Sequence, residues 1–429
     1  MTMSLRNHPG ILRGMLVALT IAWGILFALR PELFFNIGVN HLGVWFLDAF
    51  AILAANDAVA RGLDPHLPNP LDYLHRPHVY SHWWLGLQSL GLTRAHVLPL
   101  GWAFVASFLT AALAWLRPRS LREVGWYVCV LLSPPVMLSL DRANNDLVVF
   151  ALLALVVPCL GSPSRWLRLA AAVPIAVAAG LKFYPAVAGL VLLADPDPVE
   201  ARRRVLFAGV LLAAVGINLA PDLIHLANVV PRAEGLMTFG ATNLLEFIGL
   251  PGKWSLAAGL ALAAIGAGLF LRAGIFDGWS ITAEHRPAWL GFIVGSSLIT
   301  GCFFTGTSYA YRWIFAVWMA PLLWQLPRNP AAPRRIRRLA GLTAALLFYV
   351  LWADAVASAV IARFMDRIPP LELVRWADRF FLLEQPVVWA FFICQTGFLA
   401  HFVRTELAPL LPPAGRRAGQ AEDSPESVR

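Results

Sequence analysis

Apolar residues in this chain come in runs, not in alternation. The runs, read with the arginine clusters between them, predict membrane spans near residues 14–29, 96–116, 124–140, 146–160, 205–220, 255–271, 288–305, 311–326, 339–361 and 386–403. Stretches of 15 to 26 apolar residues suit helices that cross a hydrocarbon core and lack the period-two pattern of a barrel strand. Since only helices and closed barrels satisfy every backbone group in lipid, the pattern predicts an all-α polytopic membrane protein.

Residues 169–194 are long for one span and short for two, and Leu181-Lys182-Phe183-Tyr184-Pro185 interrupts them. With a cytosolic N-terminus, the basic loops at Arg117, Arg119 and Arg122, at Arg165 and Arg168, at Arg202 to Arg204 and at Arg334 to Arg338 should share that side. They do so only if 169–194 returns to the face it left, as two half-helices meeting at the break would. The expectation is then about twelve membrane segments in one domain, residues 1–403, with both termini cytosolic. Three long external connections, 30–95, 221–254 and 362–385, are rich in aromatics and prolines, which suits helices lying at the interface. Residues 404–429 read as a disordered cytosolic tail.

Composition narrows the classes further: 59% hydrophobic against 14% charged residues excludes a soluble domain. The net charge of +9, from 32 arginines and two lysines, falls mostly in short loops where it sets orientation, so no nucleic-acid partner is expected. Cys129, Cys159, Cys302 and Cys394 all lie in apolar runs without a C-x-x-C pair, which argues against a disulfide framework or zinc ribbon. Arg6 and Arg13 precede the first run, and no small-x-small cleavage site follows it, so it reads as a retained helix.

Against this apolar background a few polar residues stand out. Asp48 sits inside Gly43–Ala55, with Val44 and Ile52 as its i±4 neighbours, whereas Asp57 has Arg61 within helical reach. Such a carboxylate either faces water on an interfacial helix or is used. Lys182, in a break within apolar sequence, marks a functional site or snorkels to the interface, and Tyr184 beside it is either a hydrogen-bond donor or part of an aromatic belt. In Asp141-Arg142-Ala143-Asn144-Asn145-Asp146, Arg142 has acids on both sides, and the asparagines suit a helix N-cap at 146. Arg312 opens a span from the side where positive charge is the minority. His75, His78 and His82 are spaced three and four apart, but Pro77 interrupts any helix that would align them. His78 and His82 therefore read as contacts to phosphate or sugar hydroxyls or as interfacial packing, with no metal site. Asp195-Pro196-Asp197 has the D-x-D spacing of a metal-held nucleotide sugar, yet its prolines and following arginines resemble a cytosolic turn.

Asp48 followed about fourteen residues later by Gly62-Leu63-Asp64-Pro65, the polar turn at 141–146, the Leu181-Lys182-x-Tyr184-Pro185 break and Tyr311-Arg312 together resemble the GT-C class of polyprenyl-phosphate-dependent glycosyltransferases. Within it the chain is most similar to the family 87 mannosyltransferases, over roughly residues 14–325. It departs from that pattern at His66, at 78–84 and at Asp141-Arg142, where substrate would be held. The resemblance implies a GT-C-like bundle and an inverting enzyme without a cofactor or obligatory metal. It implies transfer of a sugar, mannose, from a polyprenyl-phosphate donor to a glycolipid, glycan or protein acceptor at the external face of the inner membrane. Asp48 would be the general base, and Lys182, Tyr184, Arg142, Asn144, Arg312, His78 and His82 would bind donor phosphate or substrate. The alternative from another class is a transporter or lipid flippase with its site at 169–194.

Overall fold

A computed structural model describes residues 8–39, 41–195, 197–229, 233, 237–250, 252–364 and 367–410. The longer helices are α1 (Pro9–Leu29), α2 (Leu47–Ala60), α3 (Val97–Trp115), α4 (Leu121–Leu131), α5 (Pro134–Arg142), α6 (Asp146–Leu153), α7 (Ala172–Lys182), α8 (Pro198–Val229), α9 (Gly252–Arg272), α10 (Arg286–Phe304), α11 (Ala316–Gln325), α12 (Arg334–Phe364) and α13 (Pro370–Leu407). Their only strand pairing among the described residues is a two-residue antiparallel ribbon, β1 (Thr238–Phe239) with β2 (Ser308–Tyr309). The protein is an all-α polytopic membrane protein. Seven helices among the described residues, α1, α3, α8, α9, α10, α12 and α13, are long and apolar enough to cross a membrane. The remaining predicted segments are shorter or bent.

The breaks follow from local chemistry. Ser133 precedes Pro134-Pro135, which cannot continue a helix but start one well, so α4 and α5 meet at a bend of 53°. The predicted segment 169–194 is interrupted as expected: α7 stops at Phe183, which has a positive φ of 55°, and a 3-10 stretch, Tyr184–Leu193, carries the chain back. Arg168 and Asp195 are 3.4 Å apart, so the segment between them begins and ends on one face.

That face collects the other basic loops as well. Arg204 bonds Asp195 at 2.9 Å, Arg119 pairs with Glu284 at 3.0 Å, and Arg404 pairs with Asp277 at 3.6 Å. Arg335 donates to the Asp277 carbonyl, and Arg202 donates through Nε to that of Leu410 at 3.1 Å. This last contact accompanies a correction: helix and a 3-10 turn continue through 404–410, so the expected tail does not begin at 404. Residues 411–429 of that tail lie outside the described residues. Most of 362–385 is likewise helical, as the end of α12 and the first turns of α13.

Burial ranks the helices. In α10, 89% of the apolar window is buried, against 17% in α8 and α9, so α10 is the central post and the others present apolar faces outward. Around it Trp318 of α11 lies on Phe150 of α6 at 4.7 Å and against Trp115 of α3 at 4.8 Å. Close packing there needs glycine at 291, where a Cβ would come within 2.1 Å of the Trp115 ring.

Candidate functional site

Polar side chains gather where α2, α5, α6, α7 and the segment before α11 present their ends to one another. The start of α2 is pinned by Phe46, whose backbone N–H donates to the Asp141 carbonyl at the end of α5, 2.8 Å away. Phe46 takes a left-handed φ of 62°, and the next turn holds Asp48, 3% exposed, where the helix N-terminus favours negative charge. Four other non-glycine residues with positive φ also flank this region or its supports: His75 beside Arg76, Ala143 between Arg142 and Asn144, Phe183 between Lys182 and Tyr184, and Met237 beside β1. Backbone strain of this kind, about 1–3 kcal/mol per residue, persists where surrounding packing enforces it.

Asp48 is not the unpaired carboxylate that helical spacing suggested. Its Oδ1 accepts from Arg76 Nη1 at 3.2 Å and its Oδ2 from Asn144 Nδ2 at 2.6 Å. Arg76 is fixed in turn by Asp72, donating Nε to Oδ2 at 3.0 Å and Nη2 to Oδ1 at 3.1 Å, and by the Leu47 carbonyl at 2.9 Å. Burial works against its charge, but the bonds to Asp72 and the nearby Asp48 carboxylate outweigh that and hold the guanidinium protonated. The expected Asp57–Arg61 pair does not form, since Asp57 accepts from Arg94 Nε at 2.7 Å.

From Asn144 the network passes to the α7 break. Asn144 Oδ1 accepts from Lys182 Nζ at 2.9 Å and from the Asp146 N–H at 3.0 Å, in the turn that leads into α6. Lys182 pairs with Asp146 Oδ1 at 2.6 Å, and the Tyr184 hydroxyl donates to that same oxygen at 2.6 Å. The ammonium also lies 5.1 Å from the Tyr311 ring and 5.7 Å from that of Tyr80. Burial pushes the Tyr80 phenol well above its ordinary range. Lys182 is thus already neutralised by the protein.

Two arginines are less committed. Arg312 lies over the Tyr184 ring at 4.9 Å and donates to the Ser308 hydroxyl, while its buried Nε has no partner among the described residues. Arg142, half-buried, makes no hydrogen bond or ion pair to any described residue, because both flanking acids are taken: Asp146 by Lys182 and Asp141 by His41, at 2.6 Å. Asp146 Oδ2 and both amide atoms of Asn145 are also buried without a partner among the described residues.

The structure separates the histidines. His75 is exposed in a left-handed turn. His82 bonds Asp222 of α8 through Nδ1 at 2.9 Å. His78 is buried, its Nε2 bonding the Ser81 carbonyl at 3.2 Å, and desolvation lowers the imidazole to about 4. It stands beside His66, 6.0 Å between ring centroids, and His66 stands 4.4 Å from His225. No group of three histidine, cysteine or acidic side chains among the described residues is arranged to hold a metal ion. In the D-x-D stretch, Asp195 Oδ2 is held by Arg204 at 2.9 Å and Arg168 at 3.4 Å.

Sequence reasoning did not single out Arg76, Tyr80 or His41, and it met Asp146 and Tyr311 only as members of longer motifs. Arg76 meets Asp48 28 positions away and His41 meets Asp141 100 positions away, so chain proximity does not reveal them. Beside the site, between α1 and α3 and the α4–α5 bend, lies an apolar cavity of about 580 Å³ lined by Thr20, Trp23, Phe27, Trp102 and Leu109, with Asp141 as its one charged lining residue.

No protein-family model and no curated protein matches this chain. Among solved structures it is similar to ArnT from Cupriavidus metallidurans in the apo state, at 13% identity over 92% of this chain and 82% of that one, with a TM-score of 0.34, a likeness too distant to bear on the site.

Proposed function

We propose that the protein is an integral membrane glycosyltransferase that moves a sugar from a polyprenyl-phosphate donor to an acceptor hydroxyl, inverting the sugar carbon, with Asp48 as general base. The observation that carries this reading is a buried carboxylate, hydrogen-bonded on both oxygens yet with lone pairs to spare, beside an apolar cavity that opens among membrane helices. The cavity suits the prenyl chain, since each methylene buried contributes about 0.8 kcal/mol. At its polar end the acceptor oxygen attacks the sugar carbon, Asp48 takes the hydroxyl proton, and the lipid phosphate leaves as an anion. Arg142 and the unbonded Nε of Arg312 are the donors free to meet that charge, and Asn144 and Arg76 hold Asp48 in position.

The resemblance to the family 87 group makes mannose the sugar and a glycolipid, glycan or protein the acceptor. The basic loops gathered at one face support a cytosolic assignment for that face, and thus an external site in the inner membrane. A transporter with its site at the α7 break remains the rival, favoured by the buried Lys182–Asp146 pair. Asp48→Asn keeps shape and removes basicity, so turnover by purified protein should fall at least about a hundredfold. Normal turnover in a well-folded Asp48→Asn variant would end the assignment, and substrate movement without product would favour the transporter.

A further inference from the structure

A second acid–base pair, apart from the network that holds Asp48, meets the cavity through Asp141, which lines it. His41 Nδ1 and Asp141 Oδ1 meet at 2.6 Å. The imidazole is stacked on Phe34 at 5.6 Å and tilted against Trp45 at 4.9 Å, and both rings line the cavity with Asp141. Two aromatic rings and a carboxylate therefore orient the imidazole. With Nδ1 committed to Asp141, Nε2 is its open edge, and the side chain keeps 13% exposure. The other charges acting on this pair are Arg142, next to Asp141 on α5, and Asp48 on α2.

In the imidazolium form both ring nitrogens donate, Nδ1 to Asp141 and Nε2 outward. An apolar cavity whose wall rings, Phe34 and Trp45, pack against such a donor fits an amphiphile with an apolar chain and an anionic head. We propose that His41, positioned by Asp141, binds the phosphate of the lipid donor and protonates it as the sugar departs, an assignment that rests on the glycosyltransferase reading. The acceptor oxygen forms its bond to the sugar carbon while the bond from that carbon to the phosphate oxygen breaks, its electron pair staying on the phosphate. Asp48 receives the hydroxyl proton and Nε2 gives its own to the leaving phosphate, which departs as a monoanion. Solvent then takes the proton from Asp48 and returns one to His41.

The test measures binding of a short-chain prenyl phosphate, and of the matching prenyl alcohol, to the purified full-length protein from about pH 5.5 to about 8.5, spanning imidazole titration. The proteins are the wild type, His41→Phe, which keeps the stacking, His41→Gln, which keeps a neutral donor, and Asp141→Asn, each with a melting curve. His41→Phe should lose about ten- to a hundredfold in phosphate affinity, the worth of a hydrogen bond to a charged group, with alcohol binding unchanged. Its pH profile should carry only the ligand's own titration, His41→Gln should fall between, and Asp141→Asn, which no longer fixes Nδ1, should lose phosphate affinity with alcohol binding unchanged. Unchanged phosphate affinity in both folded His41 variants, or equal losses for phosphate and alcohol, overturns the role of His41 while the wild-type preference for phosphate leaves the donor reading in place. A wild type that does not distinguish the phosphate from the alcohol overturns both.

Discussion

A buried ammonium needs a counter-charge, and Lys182 has one in Asp146 at 2.6 Å, itself 0% exposed. Truncating the lysine leaves that buried carboxylate without its counter-charge, held by the Tyr184 hydroxyl, a change that costs about 3–5 kcal/mol. Lys182→Met is therefore expected to lower the melting temperature of the purified protein steeply. Arg142 is the opposite case, half-buried beside Asn144 with no hydrogen bond or ion pair of its side chain to a described residue. Arg142→Met should change stability by no more than about 0.5 kcal/mol and weaken prenyl-phosphate binding about tenfold. Melting curves and binding on the two variants check this directly, and a stable Lys182→Met protein with reduced donor affinity would return the phosphate contact to Lys182.

Site geometry at the level of elements depends on how residues 82–90 are clamped. Asn56 of α2 donates to the Trp84 carbonyl at 2.9 Å and accepts from the Gln88 N–H at 2.7 Å. Trp84 Nε1 donates to the Leu181 carbonyl at 3.1 Å, beside Lys182, and Trp83 Nε1 to Asn218 of α8 at 2.7 Å. The Trp83 ring rests directly on Gly180 of α7, where a Cβ would lie 2.0 Å from it. Gly180→Ala should therefore displace the indole and destabilise the protein by about 1–3 kcal/mol, the usual cost of overpacking. The loosened 82–90 segment should also show a red-shifted tryptophan emission and lower activity. A variant that melts and fluoresces like the wild type would mean that the clamp is not structural.

Across the whole molecule, the basic loops and the candidate site are built from different connections. Arg119, Arg168, Arg204, Arg335 and Arg404 are tied to Glu284, Asp195 and the Asp277 region, and none of these contacts involves a residue of the Asp48 network. A lipid-borne donor suits a site away from the basic face, and a metal-held nucleotide sugar would need Asp195, whose charge is already met by two arginines. Purified protein is thus expected to turn over a polyprenyl-phosphate sugar in the presence of a chelator, and to tolerate Asp197→Ala. Activity with a nucleotide sugar that disappears on chelation would reverse the assignment of both donor and side.

Local sequence dictates where helices run and where they break. Apolar run length, Pro134-Pro135, and Pro185 after Lys182 are local properties, and a backbone in lipid has few other ways to satisfy its hydrogen bonds. It also exposed Asp48 and Lys182, because a charge in apolar sequence is conspicuous wherever its partner lies. The partners follow from how the helices pack. Asp48 meets Arg76, 28 positions on, and Asp141 meets His41, 100 positions back, whereas the local choice for Asp57, Arg61, lost to Arg94. An ion pair in a low-dielectric interior forms between whichever opposite charges helix packing brings within reach, and that proximity is a property of the assembled bundle.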